Sequence, residues 1–300
     1  LQELRSQKTT FHLDAGELLL KGFYSNKGED AQKRARLISQ LSKKVGVDVW
    51  TVGPTDLMAL GVRELQRVEG PPRISATWVD ETGQWLFDPF IVLEKENIRL
   101  AVIGLSEEPT DPQVLEQIHL LETEKALSKV LAMIPTDVDL IVALGSIDDE
   151  KALSISRNHP KIAALLTTRG SSYEPPYHPG KDFNAPLIIE SPERGRYIHQ
   201  LHIRLNGEAS QPPIQGLKEQ EWRDHLLLQN QPSNAKKEKL IQQFNQEGAG
   251  RNLFFGELLP LNESYDGTSQ LDSSLALFSS QRLKDAEEKA KLPPTPAEPG

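Results

Sequence analysis

An α/β layered domain is the fold class that the sequence predicts, and three observations predict it. Apolar, β-branched runs alternate with amphipathic helical patterns over residues 11 to 205. Several of these runs are apolar throughout, as strands covered on both faces must be. Most of them end at Gly, Ser or Pro, which punctuate strands.

Taken in order, the strand-like runs are FHLDAG at the start, VDVWTVG (47–53), RISATWV (73–79) and FIVLEKENIRLAVIGL (90–105). VDLIVALG (138–145), IAALLTT (162–168), NAPLIIES (184–191) and RYIHQLHIRL (196–205) complete the set. Between them, EDAQKRARLISQLSKKV (29–45) places Ala31, Ala35, Ile38 and Leu41 on one helical stripe. TDLMALGVRELQRV reads as a helix capped by Thr55, QVLEQIHLLETEKALSKVLAMI (113–134) as one longer amphipathic helix, and DDEKALSISRN (148–158) as a shorter one. No internal repeat is evident.

The composition changes after residue 205. Residues 206–216 read as a linker, and 217–290 as a helical extension with one strand-like segment, NLFFGELLPLN (252–262). Helices are expected at about 217–230 and 234–247, with Ser233 as a cap, and again across SQLDSSLALFSSQRLKDAEEKAK. Residues 291–300 form a Pro-rich tail.

Composition excludes several function classes. With 43 acidic residues, 34 basic ones and no Lys/Arg-rich stretch, the chain lacks the footprint of a nucleic-acid binder. It has no cysteine, which rules out thiolate catalysis, cysteine-ligated metal and CxxCH haem attachment. No apolar run reaches the roughly 18 to 20 residues that span a bilayer. The sequence opens on LQELRSQKTT, which reads as a start partway along a gene product.

Six segments, in order, resemble the calcineurin-like metallophosphoesterases, in the branch of exported 5′-nucleotidases. LDAGELL resembles that family's lDaGDll, and VGPTDLMALG stands where the family has GNHEFD(x)G. RISATWVDETGQWLFDPFIVLEKENIRLAVIGLS and VDLIVALGSIDDEKAL are similar to its SAN…aviGl and iIvLSHxG stretches. ALLTTRGSSY falls at its iigGHtH, and NAPLIIESPERGRYIHQLHIRL is similar to its closing strands. The match spans about two-thirds of the chain. It implies an α/β/β/α sandwich of the metallophosphoesterase type over residues 1–205, followed by the helical extension, with the family's first strand and its DxH motif lying upstream.

In that family two divalent ions, about 3.5 to 4 Å apart, clamp the oxygens of a phosphate ester. The resemblance puts Glu17 at the bridging aspartate, Pro54 and Thr55 at the asparagine and histidine of GNHE, and Gly145, within one residue, at the histidine of LSHxG. Arg169 and Ser171 fall at the two histidines of GHtH. Proline has no donor atom, glycine offers only backbone and arginine stays protonated, so Glu17 alone suits a metal. Its more ordinary role is a solvated or salt-bridged loop carboxylate. Arg169 is expected to pair with Glu17 or Asp56 and fill the abandoned site.

Other residues have plainer readings. His199 and His202 are three apart on a strand and therefore face opposite ways. His12 and His119 stand alone, the first on a strand and the second on a helix. The loop RGSSYEPPYHPGKD gathers Arg169, Ser171, Ser172, Tyr177, His178 and Lys181, a set suited to gripping an anion or a partner.

The resemblance therefore implies a non-catalytic, pseudo-5′-nucleotidase scaffold or interaction subunit that holds no cofactor and sits in the periplasm or outside the cell. An active phosphoesterase with unusual ligands, or a metal-free phosphate- or nucleotide-binding module, are the alternatives. A protein subunit is the expected partner. The extension is similar to segments that precede a multihaem cytochrome region in some relatives, which implies a haem-protein partner.

Overall fold

The computed structural model describes residues 9–19, 29–109, 112–116, 118–145, 147–168, 186–190, 197–205, 215–216 and 252–260. The three parallel strands β1 (Leu13–Asp14), β2 (Val49–Thr51) and β3 (Arg73–Ile74) form a small sheet. A second sheet has the order β10 (Leu187–Glu190), β9 (Ala164–Thr167), β8 (Leu140–Gly145), β6 (Ile98–Leu105), β5 (Phe90–Lys95). All its pairs are parallel except β5 with β6, a hairpin that turns at Glu96, whose φ is 54°.

Strand alternation sorts the apolar residues into three layers. Val49, Ile74, Leu100, Val102, Val142, Leu144, Leu187 and Ile189 meet between the two sheets. On the far side of the larger sheet, Ala101, Ile103, Ala143, Leu165 and Ile188 bury against α4 (Thr123–Met133) and α5 (Asp149–Asn158). Beyond the smaller sheet, Trp50 and Val52 pack with α1 (Glu29–Lys44) and α2 (Pro54–Leu65). The order is helix, sheet, sheet, helix, the α/β/β/α sandwich expected from the sequence.

The sheets approach closely at Gly104. A Cβ there would lie 2.6 Å from the carbonyl oxygen of Ile74, so only glycine lets the backbones meet. Ala76 donates its N–H to the Gly104 carbonyl at 2.7 Å, fastening that contact.

Four sequence expectations need correction. The helix predicted over 113–134 is interrupted: α3 (Pro112–Leu115) ends, β7 (His119–Leu120) pairs with β4 (Trp78–Val79), and only then does α4 begin. Val114 and Ile118 bury in the layer beside α1 and α2, whereas Ala126, Leu127 and Val130 bury in the layer beyond the larger sheet. One straight helix cannot serve cores on opposite sides of a sandwich. His119 is accordingly an exposed strand residue. RISATWV likewise divides into β3 and β4, separated by Ser75, Ala76 and Thr77.

Thr55 is not a helix cap. Gly53 occupies that position in extended backbone and Pro54 takes the first helical turn, where its missing N–H costs nothing.

The strand-like segment 252–262 contains a strand, β13 (Leu253–Pro260), antiparallel to β11 (Tyr197–Arg204) and parallel to β12 (Gln215–Gly216). Leu201 and Ile203 of β11 pack on the inter-sheet core. The helices expected at 217–230 and 234–247, and the last helix, lie outside the described residues.

Candidate functional site

Because β1, β2, β8 and β9 run parallel within their sheets, each sheet gathers their C-terminal ends at one edge. Buried hydroxyls stitch the two sheets together there. Thr51 Oγ1 donates to the Leu144 carbonyl at 3.3 Å, and Ser106 Oγ bonds the Val52 carbonyl and Ser75 Oγ. Thr77 Oγ1 accepts from the Ser106 N–H at 2.9 Å and is 2.7 Å from the Ser106 carbonyl. In a dry seam each such group needs a partner, and this network supplies them.

The acid-glycine-acid turn follows β1. Gly16 donates its N–H to Asp14 Oδ1 at 2.9 Å, a local Asx turn. Gly16 has φ 119° and lies against the Thr51 carbonyl, where a Cβ would come within 2.9 Å. Glu17 is left-handed, with φ 57°, an uncommon conformation for a side chain of its size. A Cβ on Gly53 would fall 2.8 Å from Glu17 Cγ, so the two loops touch backbone to side chain.

Asp56 sits beneath this contact, fully buried. Its Oδ2 accepts the Gly53 N–H at 2.9 Å, the reciprocal half of a capping box, and its Oδ1 accepts the Leu19 N–H at 2.8 Å. Burial pushes the Asp56 carboxyl up to about 8; the two N–H donors oppose that rise, and the charges of Asp14 and Glu17 add to it. Leu19 itself is buried among Trp50, Val52 and Leu57.

The positions singled out from sequence are placed as follows. Glu17 lies half-buried on the turn after β1, and Pro54 and Thr55 open α2, with Thr55 Oγ1 buried and unpartnered. Gly145 ends β8, and a Cβ there would lie 2.7 Å from the Leu105 carbonyl, so that position has no room for any side chain. Arg169, Ser171, Ser172, Tyr177, His178 and Lys181, and with them the pairing expected of Arg169, lie outside the described residues. His199 and His202 alternate across β11, and burial holds His199 below the usual imidazole range against the pull of Glu190.

The part Asp56 plays in holding the Gly53 and Leu19 amides, and the hydroxyl seam, were not foreseen. The signal for Asp56 was present, an acid three residues after the glycine that precedes a helix. For the seam it was Ser or Thr closing apolar strands, a pattern that also suits solvent-exposed ends.

A pair of divalent ions, which this fold implies, would need donors from several loops. Here Pro54 has none, Gly145 has no space for one, and both Asp56 oxygens hold backbone amides. Among the described residues no group of three or more His, Asp or Glu side chains could hold a metal ion. The described residues do not fit a two-ion cage.

Similarity to known proteins agrees with this architecture. No family model matches the chain. A 5′-nucleotidase of Vibrio cholerae is 26% identical to it over 46% of this chain and 31% of that protein. Among solved structures, a 5′-nucleotidase precursor from Thermus thermophilus superposes with a TM-score of 0.61 at 15% identity, over 94% of this chain and 52% of that one. The calcineurin-like phosphoesterase YfkN from Bacillus subtilis gives 0.61 at 12% identity, over 95% of this chain and 88% of that one. The chain thus spans about a third of the curated relative and about half of the Thermus structure.

The fold is that of the calcineurin-like metallophosphoesterases. Over part of its length the sequence is similar to that of a 5′-nucleotidase.

Proposed function

We propose that this chain is a non-catalytic member of the 5′-nucleotidase-like branch, a scaffold or interaction subunit that keeps the sandwich without the phosphoester chemistry. One observation carries the reading: the strand-end positions where the family places its ligands hold Pro54, Thr55 and Gly145, and the buried carboxyl beside the first two, Asp56, is committed to backbone amides. A fold can persist when its site changes, because the sandwich is held by its three apolar layers.

The same reading places the protein outside the cytoplasm with a protein subunit as its partner. The precursor form named for the Thermus structure supports export. A multihaem cytochrome as that subunit rests on resemblance of the extension alone.

Hydrolysis of p-nitrophenyl phosphate and of AMP by the purified chain, with Mn²⁺ and with EDTA, tests the proposal. The expected result is no turnover above the protein-free rate in either condition. Turnover that EDTA abolishes would establish an active phosphoesterase, and thermal stabilisation by AMP without turnover would establish a nucleotide-binding module.

A further inference from the structure

We infer that Asp56 is a built-in clasp that holds the Asp14–Leu19 turn against the start of α2 by hydrogen bonds alone, so that this corner keeps its shape whether or not a divalent ion is present. In a metal-dependent site of this architecture the loops after neighbouring strands are cross-linked by the ions they share. Here the cross-link is a carboxyl group. Its two oxygens reach amides 34 residues apart in sequence, Leu19 at 2.8 Å on one loop and Gly53 at 2.9 Å on the next.

The surroundings make the clasp specific. Asp56 has no exposure to solvent, so water cannot substitute for it, and each amide it serves would be left unsatisfied in the interior if it were removed. Leu19 adds an apolar anchor, 1% exposed within the layer beside α1 and α2. Gly53 completes the fit by lacking a side chain where Glu17 rests, at a distance of 2.8 Å from the Cβ it would otherwise carry. The left-handed Glu17 thus lies against Gly53, on a turn that Asp56 binds through the Leu19 amide.

This inference does not depend on the chain being inactive, and its test uses no activity. Amide hydrogen exchange is measured on the full chain, in EDTA and in Mn²⁺, for the wild type and for Asp56→Asn. An asparagine has one acceptor oxygen, and its NH₂ confronts the second amide. The wild type is expected to protect Leu19 and Gly53 equally in both media, within about twofold. Asp56→Asn is expected to speed exchange at one of these amides by about tenfold or more, with the amides of β6 and β8 unchanged. Protection that develops only with Mn²⁺, or Asp56→Asn exchanging like the wild type, would overturn the clasp. If Asp56→Asn fails to fold, Gly53→Ala tests the same corner: its Cβ must displace Glu17, and faster exchange at Leu19 is expected, unchanged exchange being contrary.

Discussion

Burial pushes the Asp56 carboxyl up to about 8, whereas in an unfolded chain it has the ordinary aspartate value of 3.8. The folded state therefore keeps a proton that the unfolded state releases between those values, and stability falls as pH rises through that window. Asp14 and Glu17, the charged neighbours, push the same way by disfavouring a third negative charge. Thermal melts of the wild type should decline from pH 5 to pH 8 more steeply than those of Asp56→Asn, which removes the titration. Parallel slopes for the two proteins would show that Asp56 ionises normally. At the same scale, Gly104→Ala forces a Cβ to within 2.6 Å of the Ile74 carbonyl, and overpacking of that kind costs about 1 to 3 kcal/mol. Denaturant unfolding should show it, and an unchanged midpoint would mean that the sheets can part there without cost.

At the scale of elements, the strands were the most legible part of the chain. β6, β8 and β10 are covered on both faces, so an unbroken apolar run marks each of them. The segment from 112 to 134 was not legible, since its spacing suits a helix and only the pairing of β7 with β4, distant in sequence, breaks it. Helix starts divided in the same way. Asp148 caps α5 locally by accepting the Lys151 N–H at 2.8 Å, and the sequence DDEK is enough to suggest it. Asp148→Ala should destabilise the domain by about 1 kcal/mol, read from chemical denaturation, and no loss would mean that another group satisfies that turn. At the strand ends, position in the fold was legible and contact was not. Motif order located Glu17, Pro54, Thr55 and Gly145, but the role of Asp56 depends on Leu19, and no local pattern connects residues so far apart.

For the whole molecule, three apolar layers hold two sheets and their helices in the metallophosphoesterase arrangement, and a hydroxyl seam closes the strand ends where that arrangement elsewhere does chemistry. Such a fold makes different demands for stability and for chemistry: the layers need only size and alternation, whereas a dinuclear centre needs particular donors at particular loops. The central claim is that the donors have gone while the layers remain. Elemental analysis tests it most directly, on chain incubated with Mn²⁺ and Zn²⁺ and then freed of unbound metal. The account predicts metal well below one ion per chain; a stable pair of ions per chain would contradict it.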